Sequence, residues 1–211
     1  MQSAKVSSKQ RILDAAIEIF SNQGFKAATV REICHRAEVG VASINYYFQG
    51  KEGLYQAVIE QQFADAIRQY PPDMGLGPDP TPEERLHSFI RSFLYRLILV
   101  ARRGPMLVQE MVHPSPAFKR IHVRQVRPMQ KMLTAIVKDL LGEGASLEYV
   151  ERCCLSILGQ CLHYVPDHNT ILTLDIGITK PDEIDRLAEL ITRFSLGGIH
   201  TVRDKACTQG A

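Results

Sequence analysis

The residues best equipped for chemistry lie in one short run, Thr29 to Phe48 (TVREICHRAEVGVASINYYF). Val41, Ala42, Ser43, Asn45 and Tyr46 stand on and around a short helix there, with Thr29 at the start of the helix before it. A carboxamide such as Asn45 can pair with a base edge, hydroxyls reach phosphate oxygens, and small residues let a helix backbone enter a major groove. A threonine at a helix N-terminus offers a hydroxyl and free amides to a phosphate. Arg31 and His35 add donors, with a solvated helix face as the competing reading for both.

Other chemistries have weaker signals. Glu84-x-x-His87 and Glu110-x-x-His113 have the spacing that holds two metals in ferritin-like bundles, which also need a glutamate from each of two further helices. With 7 histidines and 13 glutamates in the chain, two such pairs are only mildly surprising. The 5 cysteines lack CxxC spacing. Cys153, Cys154 and Cys161 lie in an apolar stretch, where a thiol usually serves as a small hydrophobe, with thiol sensing as the rival. There is no glycine-rich phosphate loop, GxSxG elbow or HExxH motif. No catalytic residue, metal or cofactor is expected. A di-metal carboxylate enzyme and an architectural DNA-binding protein without a ligand remain as alternatives.

The charge distribution is more informative than its sum of +2. The first 60 residues are nearly balanced, with 7 bases and 6 acids. DNA binding there must rest on local geometry rather than a general basic field. Arg85 to Lys138 holds 11 bases and a single acid, Glu110, whereas Asp139 to Ala211 is net acidic. The basic stretch reads as a solvated face balanced by acids elsewhere, as a lure for an anionic ligand, or as a second nucleic-acid surface. Arg91, Arg96, Arg120, Arg124 and Arg127 are the side chains that decide among these. No apolar run approaches the roughly 18 residues that span a bilayer. No membrane partner is expected, and a cytoplasmic location follows as an expectation.

The elements that position these groups read as helices throughout. Ile12, Ala16, Ile19 and Phe20 recur at helical spacing, with Gly24 as a stop. Thr29 and Glu32 form a capping-box pattern. A helix over Val41 to Phe48 and another from Lys51 to about Tyr70 follow, then Pro71 to Pro82 (PPDMGLGPDPTP), read as a mobile loop. Long helices are predicted over Glu83 to Arg103 and up to Leu141, the latter kinked at Pro128, and over Ser146 to Val165 and Pro181 to Ile199. A short helix lies before His113, and Thr170 to Thr179 reads as an extended connection. Tyr47 and Phe48 are expected in the core.

The run Lys9 to Ile59 resembles the DNA-binding domain of the TetR family. The resemblance is carried by Arg11 to Ala16, Phe20, Gly24-Phe25, Thr29 to Ile33, Ala37, Val39, Tyr46-Tyr47-Phe48 and Lys51-Glu52. It implies that Tyr46 and Lys51 grip phosphates while Val41 to Asn45 face the bases. One departure is Glu38, where the family usually has glycine. Glu38 must accept a positive φ or open the turn differently, and its charge would repel phosphate. Ala42 to Phe48 together with Glu110 to Phe118 resemble a TetR subgroup that includes the CecR (YbiH) regulators.

The fold class expected is all-α: a three-helix reading head over residues 1–52 and a ligand-binding and dimerisation domain over 53–211, about nine helices in all. By this resemblance the protein is a homodimeric repressor on a roughly palindromic double-stranded DNA operator, released by an unidentified small organic ligand, with an anionic one as an option. The resemblance places Phe89, Phe93, Leu97, Met106, Gln109, His113, Ile121, Met129, Cys161 and Tyr164 around the ligand. It implies pairing through the last two long helices, where Val150, Cys154, Ile157, Cys161, Leu187, Leu190, Ile191 and Phe194 supply apolar surface.

Overall fold

The computed structural model describes residues 7–100, 106, 110, 118–119, 122–164, 178 and 180–209. Every element among them is helical, and the chain forms two compact units. The first comprises residues 1–65 with 103–121, the second 66–102 with 122–211. The first unit is thus larger than the head read at residues 1–52. The reason is in the sequence just beyond, where Leu54, Val58 and Ile59 are fully buried.

In the first unit, α1 (Ser8–Ala27) begins at Ser7, whose hydroxyl accepts from the Gln10 amide at 3.2 Å. Its periodic residues Ile12, Ala16, Ile19 and Phe20 are buried, and Gly24 interrupts the helix at φ 75°. Thr29 caps α2 (Val30–Arg36) by accepting from the Glu32 amide at 3.2 Å. The expected box is half-made, because the Glu32 carboxylate instead accepts from Gln23 Nε2 on α1 at 2.8 Å. An Arg36–Glu18 ion pair also joins α2 to α1. α3 (Ala42–Phe48) turns Ile44 and Phe48 inward and ends on Gln49 in the left-handed region. α4 (Lys51–Gln69) starts so close behind it that a Cβ on Gly53 would lie 1.8 Å from the Phe48 carbonyl oxygen, so only glycine fits.

The second unit is a helical bundle. α5 (Pro82–Tyr95) opens with a full capping box between Thr81 and Glu84 and has Pro82 in its first turn. It continues into a π-helical turn, Arg96–Val100. A second π-helical turn, His122–Val126, leads into α6 (Arg127–Leu141), followed by α7 (Leu147–Leu162) and α8 (Pro181–Gln209). Pro128 stands in the first turn of α6, directly after the π-helical turn. A proline lacks the amide that a helix interior needs, and the first turn does not use it. α5 packs on α6 and α8, and α7 on α6 and α8, with Leu86, Ile90, Leu94, Leu133, Val137, Ile157, Ile184 and Ile191 among the buried side chains.

Two of the sequence expectations can be set against contacts here. The Pro71–Pro82 connection lies against α5, where the Ser88 hydroxyl is 3.0 Å from both the Pro72 and Met74 carbonyl oxygens. The basic stretch is balanced over α5: Arg85 pairs with Asp139 at 2.8 Å, and Arg91 grips Asp185 at 2.7 and 3.2 Å. The Arg91 guanidinium, with the Tyr95 hydroxyl at 3.0 Å, holds the Asp185 carboxyl below its usual range. Arg120 and the extended connection at Thr170 to Thr179, apart from Ile178, lie outside the described residues.

Candidate nucleic-acid interface

α3 has an inner and an outer face. Ile44 and Phe48 hold the inner one. Val41, Ala42 and Asn45 are exposed, Ser43 is half-buried, and Tyr46 is 81% exposed. Tyr47 is 40% exposed rather than core, its ring meeting that of Tyr46 edge-on at 4.8 Å. Two adjacent residues on a helix cannot both follow the inward stripe that Ile44 and Phe48 define.

The turn before α3 is built on Glu38, which takes the positive φ of 53° that its place at the end of α2 demands. The strain is borne by its neighbours: the Val39 amide donates to the Cys34 carbonyl oxygen at 3.0 Å, and the Ser43 amide to Gly40 at 2.9 Å. Cys34 is buried beneath the turn, which pushes its thiol pKa up, and its Sγ lies 3.8 Å from the Gly40 oxygen. The Glu38 carboxylate lies 3.9 Å from Arg11 Nη1, which partly offsets its charge.

The remaining candidates flank this face. Thr29, Arg31 and His35 are exposed. Lys51 is half-buried at the start of α4, with Nζ 3.4 Å from the Lys26 carbonyl oxygen and 4.6 Å from the centre of the Phe25 ring. That cradle fixes the stem of the lysine while leaving further ammonium donors.

Glu110 has a role that its spacing to His113 did not reveal. It is buried in the first unit and accepts from the Tyr55 hydroxyl at 2.9 Å. Burial first, then Glu110, raise the Tyr55 pKa, so the phenol stays a donor. The Tyr55 ring packs edge-on to Phe20 at 5.3 Å and against Phe25 at 4.8 Å, and Phe63 meets Phe118 at 5.7 Å. Glu84 is likewise occupied in its capping box, and His87 faces Glu189 at 3.8 Å. Among the described residues no group of three or more His, Cys, Asp or Glu could hold a metal ion. The di-metal reading finds no support.

Of the side chains assigned to a ligand, Phe89, Leu97, Met106 and Cys161 are buried and Phe93, Met129 and Tyr164 half-buried. Met106 belongs to the first unit, and Gln109, His113 and Ile121 lie outside the described residues. The set assigned to dimerisation divides. Val150, Ile157, Cys161, Leu187 and Ile191 are spent inside one protomer, and Cys154 is half-buried. Leu190 is 61% and Phe194 73% exposed, and Leu155, absent from the set, is 69% exposed.

Residues 12–58 match the model of the tetR family of bacterial regulatory proteins, and residues 82–199, more than half of the chain, match the C-terminal domain of the HTH-type transcriptional dual regulator CecR. The chain belongs to the TetR family. This regulator is 28% identical to the dual regulator CecR of Shigella flexneri over 83% of its own length and 82% of that protein. It is 44% identical to the probable regulator YttP of Bacillus subtilis, over 57 residues that make up 27% of this chain and 28% of the other. The fold is also that of FadR from Bacillus subtilis, solved in complex with stearoyl-CoA, with a TM-score of 0.63 at 18% identity over 90% of this chain and 98% of that one. The regulator is thus a helix-turn-helix transcriptional regulator, α2 and α3 being the motif.

Proposed function

We propose that the regulator is a repressor that occupies a roughly palindromic operator as a homodimer and leaves it when a small organic molecule binds the second unit. The outer face of α3 carries the reading: Tyr46 is 81% exposed beside Asn45, Ala42 and Val41, on a helix whose opposite side is core. Asn45 would read a base edge, Tyr46, Thr29 and Lys51 would take phosphates, and Val41, Ala42 and Ser43 would line the groove. Arg31 would add a phosphate contact. Work on a chromosomal operator would place the protein in the cytoplasm.

Pairing would bring Leu155, Leu190 and Phe194 against a second copy as part of an antiparallel helical bundle. One α3 per half-site then requires a set spacing between two heads. The chain crosses between the units after Asp65, Arg102 and Ile121. The π-helical turns Arg96–Val100 and His122–Val126 flank the two later crossings, and such turns have a second, tighter winding available to them. Glu110 belongs to the DNA-binding unit and accepts from Tyr55 of α4. A ligand that favoured one winding would thereby shift the head.

The reading is tested by a thermal-shift screen of small molecules, with each hit then titrated against the protein–DNA complex. Hits that release DNA are the expected result. A regulator that binds DNA identically with every stabilising molecule would leave the reading head and remove the sensor.

A further inference from the structure

Arg96, in the second unit, is a buried cation with no counter-charge among the described residues. It is 8% exposed, yet among the described residues Nη1 donates only to the Tyr70 carbonyl oxygen and the Ser92 hydroxyl oxygen, and Nη2 is buried with no hydrogen-bond partner. The other arginines of the same helix behave differently, Arg85 and Arg91 each meeting an aspartate. Burying a guanidinium this way is costly, and proteins ordinarily supply a carboxylate or leave the head in water. Burial pulls the Arg96 pKa down to about 10, so the group is still charged at neutral pH.

Local architecture does not account for it. The Tyr70 carbonyl oxygen is already satisfied by the Ser92 hydroxyl at 2.7 Å. What surrounds the guanidinium is an aromatic track. Phe89, Phe93 and Arg96 follow one another at spacings of four and three along α5 and its π-helical extension, which sets them on one face. The two phenyl rings stack with centres 6.2 Å apart, and Arg96 Cζ lies 6.0 Å from the Phe93 ring. Phe93 is half-buried, so part of the track is open.

We infer that Arg96 is the anion receptor of the second unit, its free Nη2 taking the carboxylate of an organic acid whose apolar body lies along Phe93 and Phe89. This rests on the ligand-responsive reading above and names the chemical class of the ligand. Arginine suits the task because its fork matches a carboxylate and its charge persists when buried. A charge left uncompensated in the free protein is also a source of differential affinity, since binding removes the penalty.

The test melts the full-length wild type and Arg96→Met in sodium chloride, sodium benzoate and sodium octanoate at matched ionic strength, with benzamide and octanol as neutral analogues. The carboxylates should raise the wild-type Tm by roughly 3–6 °C per tenfold excess over saturation onset, and the neutral analogues should not. Arg96→Met should melt in chloride no lower than the wild type and ignore the carboxylates. Arg96→Lys, which keeps the charge without the fork, should bind them about tenfold more weakly; it carries the test if the methionine variant does not fold. Carboxylates that fail to shift the wild type, or shift Arg96→Met or Arg96→Lys equally, would overturn the inference. Failure of the wild type to bind any DNA sequence would remove the repressor reading and leave the anion response standing, whereas release of DNA by neutral molecules alone would do the reverse.

Discussion

The outer face of α3 and the outer face of α7 and α8 both expose large apolar side chains, but they differ in what stands beside them. On α3, Tyr46 and Val41 are accompanied by Asn45, Ser43 and Ala42, so hydrogen-bonding groups and small residues alternate with the rings. On the other face Leu155, Leu190 and Phe194 present hydrocarbon, bordered on α8 by Glu189, Arg193, Gly197 and Gly198. A surface of the first kind fits a polar, grooved partner whose edges offer donors and acceptors. One of the second kind gains by being covered with its like. Exposure alone does not distinguish DNA from protein; the polar companions do.

The sharpest way to break the comparison is to charge both α7 and α8 at positions that look alike in sequence. Ile157→Asp places an unpaired carboxylate in the protomer core and should cost more than about 4 kcal/mol, enough to abolish folding. Leu190→Asp should fold, by circular dichroism, and sediment as a monomer. A dimeric Leu190→Asp protein would show that this face is not the interface.

On α3 the effects are smaller and separable. Asn45→Ala should lose about 1–3 kcal/mol of discrimination at one base position per half-site. Lys51→Ala should weaken binding on all sequences alike and reduce the slope of log affinity against log salt by about one. An unchanged salt slope would remove Lys51 from the phosphate contacts.

The smallest expected change concerns the turn. Glu38→Gly relieves a left-handed backbone that costs an L-residue about 1 kcal/mol and removes an exposed ion pair of little worth. It should raise the melting temperature slightly and tighten DNA binding at low salt. A lower melting temperature would show that the Arg11–Glu38 pair holds the turn.

The reading head was legible because its signals are local. Periodic Ile12, Ala16 and Ile19, the Thr29 cap and the missing glycine at Glu38 each depend on neighbours within a few residues, and each has a physical counterpart in the fold. The exposed face of α8 was less legible because the helix has two apolar stripes, Leu187 with Ile191 and Leu190 with Phe194, one residue out of phase. Periodicity alone cannot choose which turns inward; packing against α5 and α7 does. The Thr81–Glu84 capping box had a visible pattern, T-x-x-E after a proline-rich run, and would have fixed the start of α5. The role of Glu110 was not legible because its partner, Tyr55, lies far away in sequence. The solitary state of Arg96 had no local signal at all.

The central claim is that two copies of α3 read one operator. Selection of bound sequences from random double-stranded DNA by the full-length protein tests it most directly. The account predicts enrichment of an inverted repeat whose half-site centres lie about one helical turn, or a multiple of it, apart, with Asn45→Ala relaxing one position in each half. Enrichment of no sequence, or of a single asymmetric site unaffected by Asn45→Ala, would contradict it.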